Sequence, residues 1–306
     1  MHPNSIRNLN LFGEYTQRFS DILDARLVIK HHDYDKAREM LNGALAEFLT
    51  TDEDADKLAY ALKIVINSIY GFTTANFDNP FKDPRNVDNI VAKRGALFMI
   101  NLKHEVQKRG YTVAHIKTDS IKIPDADEEI ISFVKAYGAE YGYTFEHEAT
   151  YEKMCLVNDA VYIAKYATGK HAGEWTATGT QFQVPYVFKT LFSKEPIIFD
   201  DMKETKSVTS SLYLDFNENL PEGEHDYHFV GRVGQFTPVK SGCGGALLMR
   251  EKDGKYYAAT GTKGYRWMES NMISDIDIID VTYYRKLVDD AIDSISEYCD
   301  INEFVK

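Results

Sequence analysis

Four short strings in this 306-residue sequence carry residue types suited to phosphate, base or metal chemistry. In Arg26-x-x-x-Lys30 two cations stand four residues apart. On a helix they share one face and could grip a triphosphate; the same pair also fits a solvated face. Lys63-x-x-x-Asn67-Ser68-x-Tyr70-Gly71 again sets a cation and an amide on one helical face. Tyr70 offers a ring for stacking on a base, and Gly71 a bare backbone that a base pair could approach. An amphipathic helix with an ordinary glycine stop is the plainer account of that string. Lys117-Thr118-Asp119-Ser120 lies between the apolar runs 113–116 and 121–123. A carboxylate at a hairpin tip is held by a sheet yet exposed, which suits a divalent cation. Thr, Asp and Ser are also common turn residues. The opening Met1-His2-Pro3-Asn4-Ser5-Ile6 takes its meaning from the other three.

The elements that must position these residues follow from hydrophobic periodicity. Helical spacing covers 15–30 (Phe19, Ile22, Leu23, Leu27) and 33–49 (Ala37, Met40, Leu41, Ala44, Leu45, Phe48). A third helix is predicted over 54–70, with a cap signal in Thr51-Asp52-Glu53-Asp54 and a stop at Gly71. Pro80, Pro84 and several Asn and Asp make 76–88 a loop, and a helix over about 87–109 ends at Gly110. Strand–turn–strand over 111–123, a helix over 127–141 and short strands over 143–166 come next. Beyond about 167, Gly, Thr and aromatics dominate. A hairpin over 246–260 turns on Asp253-Gly254, and 280–298 closes the chain as a helix. The change of texture places a domain boundary near 165–170, in keeping with the two domains that the length allows.

With 44% hydrophobic and 27% charged residues, the composition excludes disorder, collagen and disulfide scaffolds. Cys155, Cys243 and Cys299 are odd in number and far apart. They fit neither a disulfide framework nor a CxxC zinc site, and they suit a reducing cytoplasm. No apolar run approaches the roughly 18–20 residues of a membrane span, and no secretory signal is read, so no membrane partner is expected. The net charge of −12 opposes a polyanionic partner at first sight. It is unevenly distributed. Residues 1–126 carry 17 basic and 17 acidic side chains, residues 127–306 carry 18 and 30, and 61–122 hold 10 basic against 5 acidic. A local patch can oppose the net charge, so nucleic acid remains possible, with its contact surface expected in the first 126 residues.

Taken together and in order, the four strings resemble the palm and fingers of a family B DNA polymerase. Lys63-x-x-x-Asn67-Ser68-x-Tyr70-Gly71 matches the fingers-helix motif, and Arg26-x-x-x-Lys30 has the spacing of the triphosphate-binding pair on the partner helix. Thr118-Asp119-Ser120 matches the core of the Asp-Thr-Asp-Ser motif, and Met1-His2-Pro3 is similar to the tail of Asp-x-x-Ser-Leu-Tyr-Pro. The style is closest to phage members. The resemblance implies an α+β fold: an antiparallel palm sheet with an inserted helical fingers hairpin, followed by a mixed α/β thumb. The implied divisions are 1–14 (end of a palm motif), 15–75 (fingers), 76–166 (palm with the metal-binding hairpin) and 167–306 (thumb). The implied function is DNA-directed DNA polymerisation in replication, by attack of a primer 3′-oxygen on a deoxynucleoside triphosphate with two Mg2+ ions. Asp119 would be the catalytic, metal-binding carboxylate. Arg26, Lys30, Lys63, Asn67, Tyr70 and His2 would bind the nucleotide, and Gly71, Thr118, Ser120 and Tyr162 the primer–template DNA. The implied location is the cytoplasm, that of a bacterial host if the gene is a phage's.

The sequence departs from the family pattern at several positions. The other metal-binding aspartate lies three residues before the Met1 position, outside this sequence. The expectation is therefore a portion that acts only with a missing N-terminal part, which is either supplied as a separate chain carrying that aspartate and the exonuclease domain or lost to truncation. His2 stands where the family has a sugar-discriminating tyrosine, and Lys117 replaces the first acid of Asp-Thr-Asp-Ser. In Asn158-Asp159-Ala160-Val161-Tyr162 the family's lysine-rich motif survives only as Tyr162, with Lys153 and Lys165 nearby as substitutes. Only 48 positions separate Gly71 from Asp119, which favours a nucleic-acid primer over a protein one. The alternative reading is a non-catalytic remnant that binds nucleic acid or primer–template.

Overall fold

A computed structural model describes residues 2–86, 88–217, 219–221 and 224–306. Every sheet in it is antiparallel and helices accompany the sheets, giving an α+β architecture. The chain divides into two compact units, Met1–Glu148 and Ala149–Lys306. The break expected near 165–170 instead falls inside a three-stranded sheet, whose ladder hydrogen bonds tie residues on both sides of it.

The first unit is mainly helical. It contains α1 (His2–Asn8), α2 (Thr16–Lys30), α3 (Tyr34–Glu39), α4 (Asp52–Thr73) and α5 (Ile90–Lys108). The hairpin β1 (His115–Lys117) and β2 (Ser120–Lys122) follows, then α6 (Glu128–Glu140). Helix α4 starts where the cap signal predicts. Thr51 Oγ1 accepts from the Asp54 amide at 3.1 Å, and Asp52, Glu53 and Asp54 place negative charge on the first turn. Helices α2 and α4 run antiparallel. Phe19 and Leu23 pack with Ile66 at the far end of α4, whereas Ala25 and Ile29 pack with Ala55 near its start. Ile6 of α1 is fully buried in the Phe19–Leu23–Ile66 cluster, so the N-terminal helix is fixed to the same pair.

Several expectations for this unit need correction. The helix predicted over 33–49 ends at Glu39, because Leu41, Asn42 and Gly43 adopt φ of +52°, +58° and +79°. Asn-Gly is a turn dipeptide that tolerates this region, and the hydrophobic pattern survives because Leu45 and Leu49 are buried beside Ala25 and Ala37. Helix α4 does not stop at Gly71, whose φ is not positive; it runs on to Thr73. There Thr73 Oγ1 donates to the Tyr70 carbonyl at 2.6 Å and Thr74 Oγ1 to the Gly71 carbonyl at 3.2 Å. The palm sheet expected in this region is, among the described residues of the unit, the two-stranded β1–β2 hairpin. Its first strand is shorter than predicted, with residues 111–114 outside named strands, and its second begins one residue earlier than the predicted 121–123. The helix expected from about 87 begins at Ile90 after a left-handed Asn89, and Val87 lies outside the described residues. Its end is as predicted, with Gly110 at φ +88°.

The second unit holds the sheet β3 (Tyr151–Leu156), β4 (Tyr162–Tyr166) and β5 (Trp175–Thr178), then the short helices α7 (Thr180–Gln183) and α8 (Pro185–Phe188). Strands β6 (Glu204–Asp215), β7 (Tyr227–Val239), β8 (Leu247–Lys252), β9 (Lys255–Ala258) and β10 (Arg266–Glu269) form a second sheet in the order β10-β7-β6-β8-β9. The Asp253-Gly254 turn takes φ of +54° and +74° between paired Lys252 and Lys255, as the dipeptide predicts. Helix α9 (Val281–Ser296) serves both cores, with Tyr284 against Leu212, Phe236 and Trp267, and Val288, Ala291 and Ile295 against Ile163 and Phe182. Helix α10 (Ile301–Phe304) ends the chain's secondary structure. No helix among the described residues is long and apolar enough to cross a membrane.

Candidate functional site

A cavity of about 260 Å³ in the first unit is lined by His2, Pro3, Asn67, Tyr70, Thr118 and Asp119. These residues come from three separate strings: the start of α1, the last turns of α4 and the tip of the β1–β2 hairpin. Each element is anchored by its own packing. Helix α1 is held by Ile6 in the core, by a buried 2.9 Å hydrogen bond between Ser5 Oγ and Tyr143 Oη, and by the Arg7–Asp24 ion pair at 3.1 Å. The end of α4 is braced by the loop after it, where Asn86 Nδ2 donates to Thr73 Oγ1. The hairpin presents its Ile116–Ile121 pair to the cluster of Phe98, Leu102 and Ile130. Its two-residue turn then leaves Thr118 and Asp119 exposed.

Tyr70 and His2 are the best-defined pair in the cavity. Their rings stack in parallel, 4.3 Å apart with an interplanar angle of 8°. The Tyr70 hydroxyl donates to Asn89 Oδ1 at 3.0 Å, which fixes the ring's tilt. Burial holds the His2 imidazole below its ordinary pKa, and the nearby Asp119 carboxylate opposes that shift. A neutral aromatic ring therefore stacks on Tyr70 while a carboxylate stands in the same cavity. At the hairpin tip Thr118 takes φ +36°, the Asp119 amide donates to the Lys117 carbonyl, and Ser120 Oγ donates to the same oxygen at 3.3 Å. On β2, burial lowers the Lys122 ammonium below its usual range, opposed by Glu148 and assisted by Lys117.

His2, Asn67, Tyr70, Thr118 and Asp119 thus line one cavity; Met1 lies outside the described residues. The expected triphosphate cations Arg26, Lys30 and Lys63 do not line the cavity. Arg26 and Lys30 project from α2, which packs beside α4, and Lys63 is exposed one turn before Asn67. Arg26 Nε is buried with no hydrogen-bond partner among the described residues. Lys30 Nζ is ion-paired with Glu146 Oε2 at 2.8 Å, and His31 Nε2 meets Glu146 Oε1 at 2.8 Å. Those contacts hold the Glu146 carboxyl below its usual range, the Lys30 bond contributing most. Gly71 is exposed, and a Cβ there would meet nothing within 4 Å, so the chain's own packing does not require glycine. Tyr162 lies in the second unit on β4, paired with Leu156 and Thr178. The two substitute lysines are engaged within that unit. Lys153 donates to the Glu303 carbonyl at 3.4 Å, and Lys165 pairs with Glu152 at 3.4 Å. Sequence reading gave Pro3 a place in a motif without a site role, and missed Asn89 and Glu146. Nothing local marks Asn89 or Glu146, since each acts through a partner distant in sequence.

Two Mg2+ ions need several anionic oxygens. Among the described residues no group of three or more His, Cys, Asp or Glu could hold a metal ion, and Asp119 is the carboxylate among the cavity residues. The residues present do not by themselves fit a two-metal centre. No protein-family model matches the sequence, and no curated protein matches it. Among solved structures, the family B DNA polymerase from the hyperthermophilic archaeon Pyrobaculum calidifontis is similar at 14% identity with a TM-score of 0.46. That alignment covers 93% of this chain and 38% of the archaeal one.

Proposed function

We propose that this chain is a palm–fingers–thumb portion of a phage-like family B DNA polymerase, which binds a deoxynucleoside triphosphate in the α1–α4–hairpin cavity and extends a DNA primer. The observation that carries the reading is the convergence of His2, Asn67, Tyr70, Thr118 and Asp119, residues from three distant motifs, on one cavity. In this reading the Tyr70 ring, backed by His2, supports the nascent base pair, and Asn67 lies beside it. Arg26, whose buried Nε has no hydrogen-bond partner among the described residues, supplies one donor for phosphate oxygens. Lys30 and Lys63 supply further positive charge. The primer 3′-oxygen attacks the α-phosphate and pyrophosphate leaves. Asp119 is placed to face the reacting phosphate as the carboxylate among the cavity residues. A second reading, a nucleotide- and primer–template-binding protein without transfer activity, is favoured by the single carboxylate among the cavity residues.

The test is primer extension on a primed DNA template by the chain, alone and within any longer polypeptide or complex that contains it. Extension is expected, and Asp119→Asn should abolish it. Because Asp119 is exposed, the variant should melt like the parent. Activity that survives the substitution overturns the role given to Asp119. Nucleotide binding without extension in every one of these forms selects the second reading.

A further inference from the structure

We propose that Cys155 and Cys299 form a redox-responsive thiol pair, which a peroxide closes into a disulfide tying β3 to the C-terminal end of the chain. The two residues are 144 positions apart, yet the fold of the second unit brings both to one hydrophobic core. Cys155 is buried in the core formed with Ile163, Phe182 and Ile295, and Cys299, just beyond α9, packs against that cluster. Cys299 Sγ donates to the Ile295 carbonyl at 3.9 Å, and Ile295 is itself a member of the core that buries Cys155. Independent bonds frame them. Two residues after Cys155, the Val157 carbonyl accepts from Tyr298 Oη at 2.9 Å; two residues before it, Lys153 Nζ donates to the carbonyls of Glu303 and Phe304 at 3.4 and 3.5 Å. The strand and the C-terminal segment are therefore held together on both sides of the sulfurs.

The two cysteines differ in reactivity. Burial, with the neighbouring Cys299, pushes the Cys155 thiol up to about 11, so it stays protonated at neutral pH. Cys299 is half-buried and open to a small oxidant. Its sulfur attacks hydrogen peroxide, the O–O bond breaks, one oxygen remains as a sulfenic acid and the other leaves as water with the thiol proton. The Cys155 sulfur then displaces the sulfenic oxygen, which departs as a second water carrying the Cys155 proton. Two thiols lose two hydrogens in all, and the peroxide is reduced to two waters. Cys243, exposed among Gly242, Gly244 and Gly245, is the internal control for indiscriminate oxidation.

The experiment titrates the full chain with hydrogen peroxide and maps its cysteines by mass spectrometry, before and after dithiothreitol. The expected result is an intact mass lower by two hydrogens and a linked peptide joining Cys155 to Cys299. The link should be reversed by the reductant, retained in Cys243→Ser and lost in Cys299→Ser. Since Cys155 is a core residue, the exposed-side variant Cys299→Ser carries the comparison if Cys155→Ser fails to fold. A Cys299 sulfinic acid with Cys155 still alkylatable after unfolding overturns the proposal. So does a link made through Cys243.

Discussion

Glu146→Gln should tighten binding of a nucleoside triphosphate. Lys30, one of the proposed phosphate-binding cations, has its ammonium 2.8 Å from Glu146 Oε2, and His31 holds the second oxygen at 2.8 Å. A triphosphate recruiting Lys30 must first break that ion pair. Both partners are substantially exposed, at 45% and 36%, so the pair belongs to the class worth about 0.2–1 kcal/mol. At about 1.4 kcal/mol per tenfold, releasing Lys30 should lower the apparent Kd by about 1.4- to fivefold at low ionic strength. The gain should shrink near 1 M salt, where the Debye length is about 3 Å. The pH dependence follows from the depressed Glu146 pKa, caused first by the Lys30 bond. A carboxylate lowered in the folded state contributes stability above its ordinary value and loses it as pH falls through the folded value. The parent should therefore keep the ion pair at neutral pH and approach the variant's behaviour only in acid, below the ordinary carboxylate range. The assay is isothermal titration with a deoxynucleoside triphosphate for the parent, Glu146→Gln, Lys30→Ala and the double variant. The reasoning fails if Glu146→Gln leaves affinity unchanged while Lys30→Ala weakens it. It fails equally if the gain persists in the Lys30→Ala background, because the coupling between the two residues is then zero.

Gly71→Ala should raise folding stability by about 0.5–1 kcal/mol in a denaturant titration, since Gly71 sits at helical φ with open space where the Cβ would lie. If a base pair needs that bare backbone, the same variant should lose primer–template affinity in fluorescence anisotropy; unchanged affinity would remove Gly71 from the interface. Tyr70→Ala should weaken triphosphate binding about tenfold or more in the same titration, on the scale of a lost base–aromatic stack. Tyr70→Phe, which keeps the ring stacked on His2 and gives up the bond to Asn89, should stay close to the parent.

What the sequence revealed was local. The cap at Thr51, the start of α9 after Asp280, the Asp253-Gly254 turn and the stop at Gly110 each rest on residues within a few positions, and each is present in the fold. The run over 33–49 misled because its apolar spacing is real while Leu41-Asn42-Gly43 breaks the helix within it; burial of Leu45 and Leu49 outweighs the cost of a left-handed leucine. Gly71 misled in the opposite sense, since an interior glycine costs a helix only about 1 kcal/mol and packing carries α4 past it. The change of texture near 167 marked a shift in composition, whereas compactness follows strand pairing, which joins β4 to β5. The motif strings contain all six cavity residues, five of them with an expected site role. The stack of Tyr70 on His2, the Asn89 brace, the Glu146 contact with Lys30 and the meeting of Cys155 with Cys299 all arise from tertiary proximity that no local pattern encodes.

Hydrogen–deuterium exchange with and without a deoxynucleoside triphosphate tests most directly whether the three motifs form one nucleotide site. Bound nucleotide should protect residues 2–6, 63–74 and 115–122 together, and Tyr70→Ala should remove the protection at all three segments. Protection confined to residues 149–306, or saturable binding that leaves those three segments unchanged, would contradict the account.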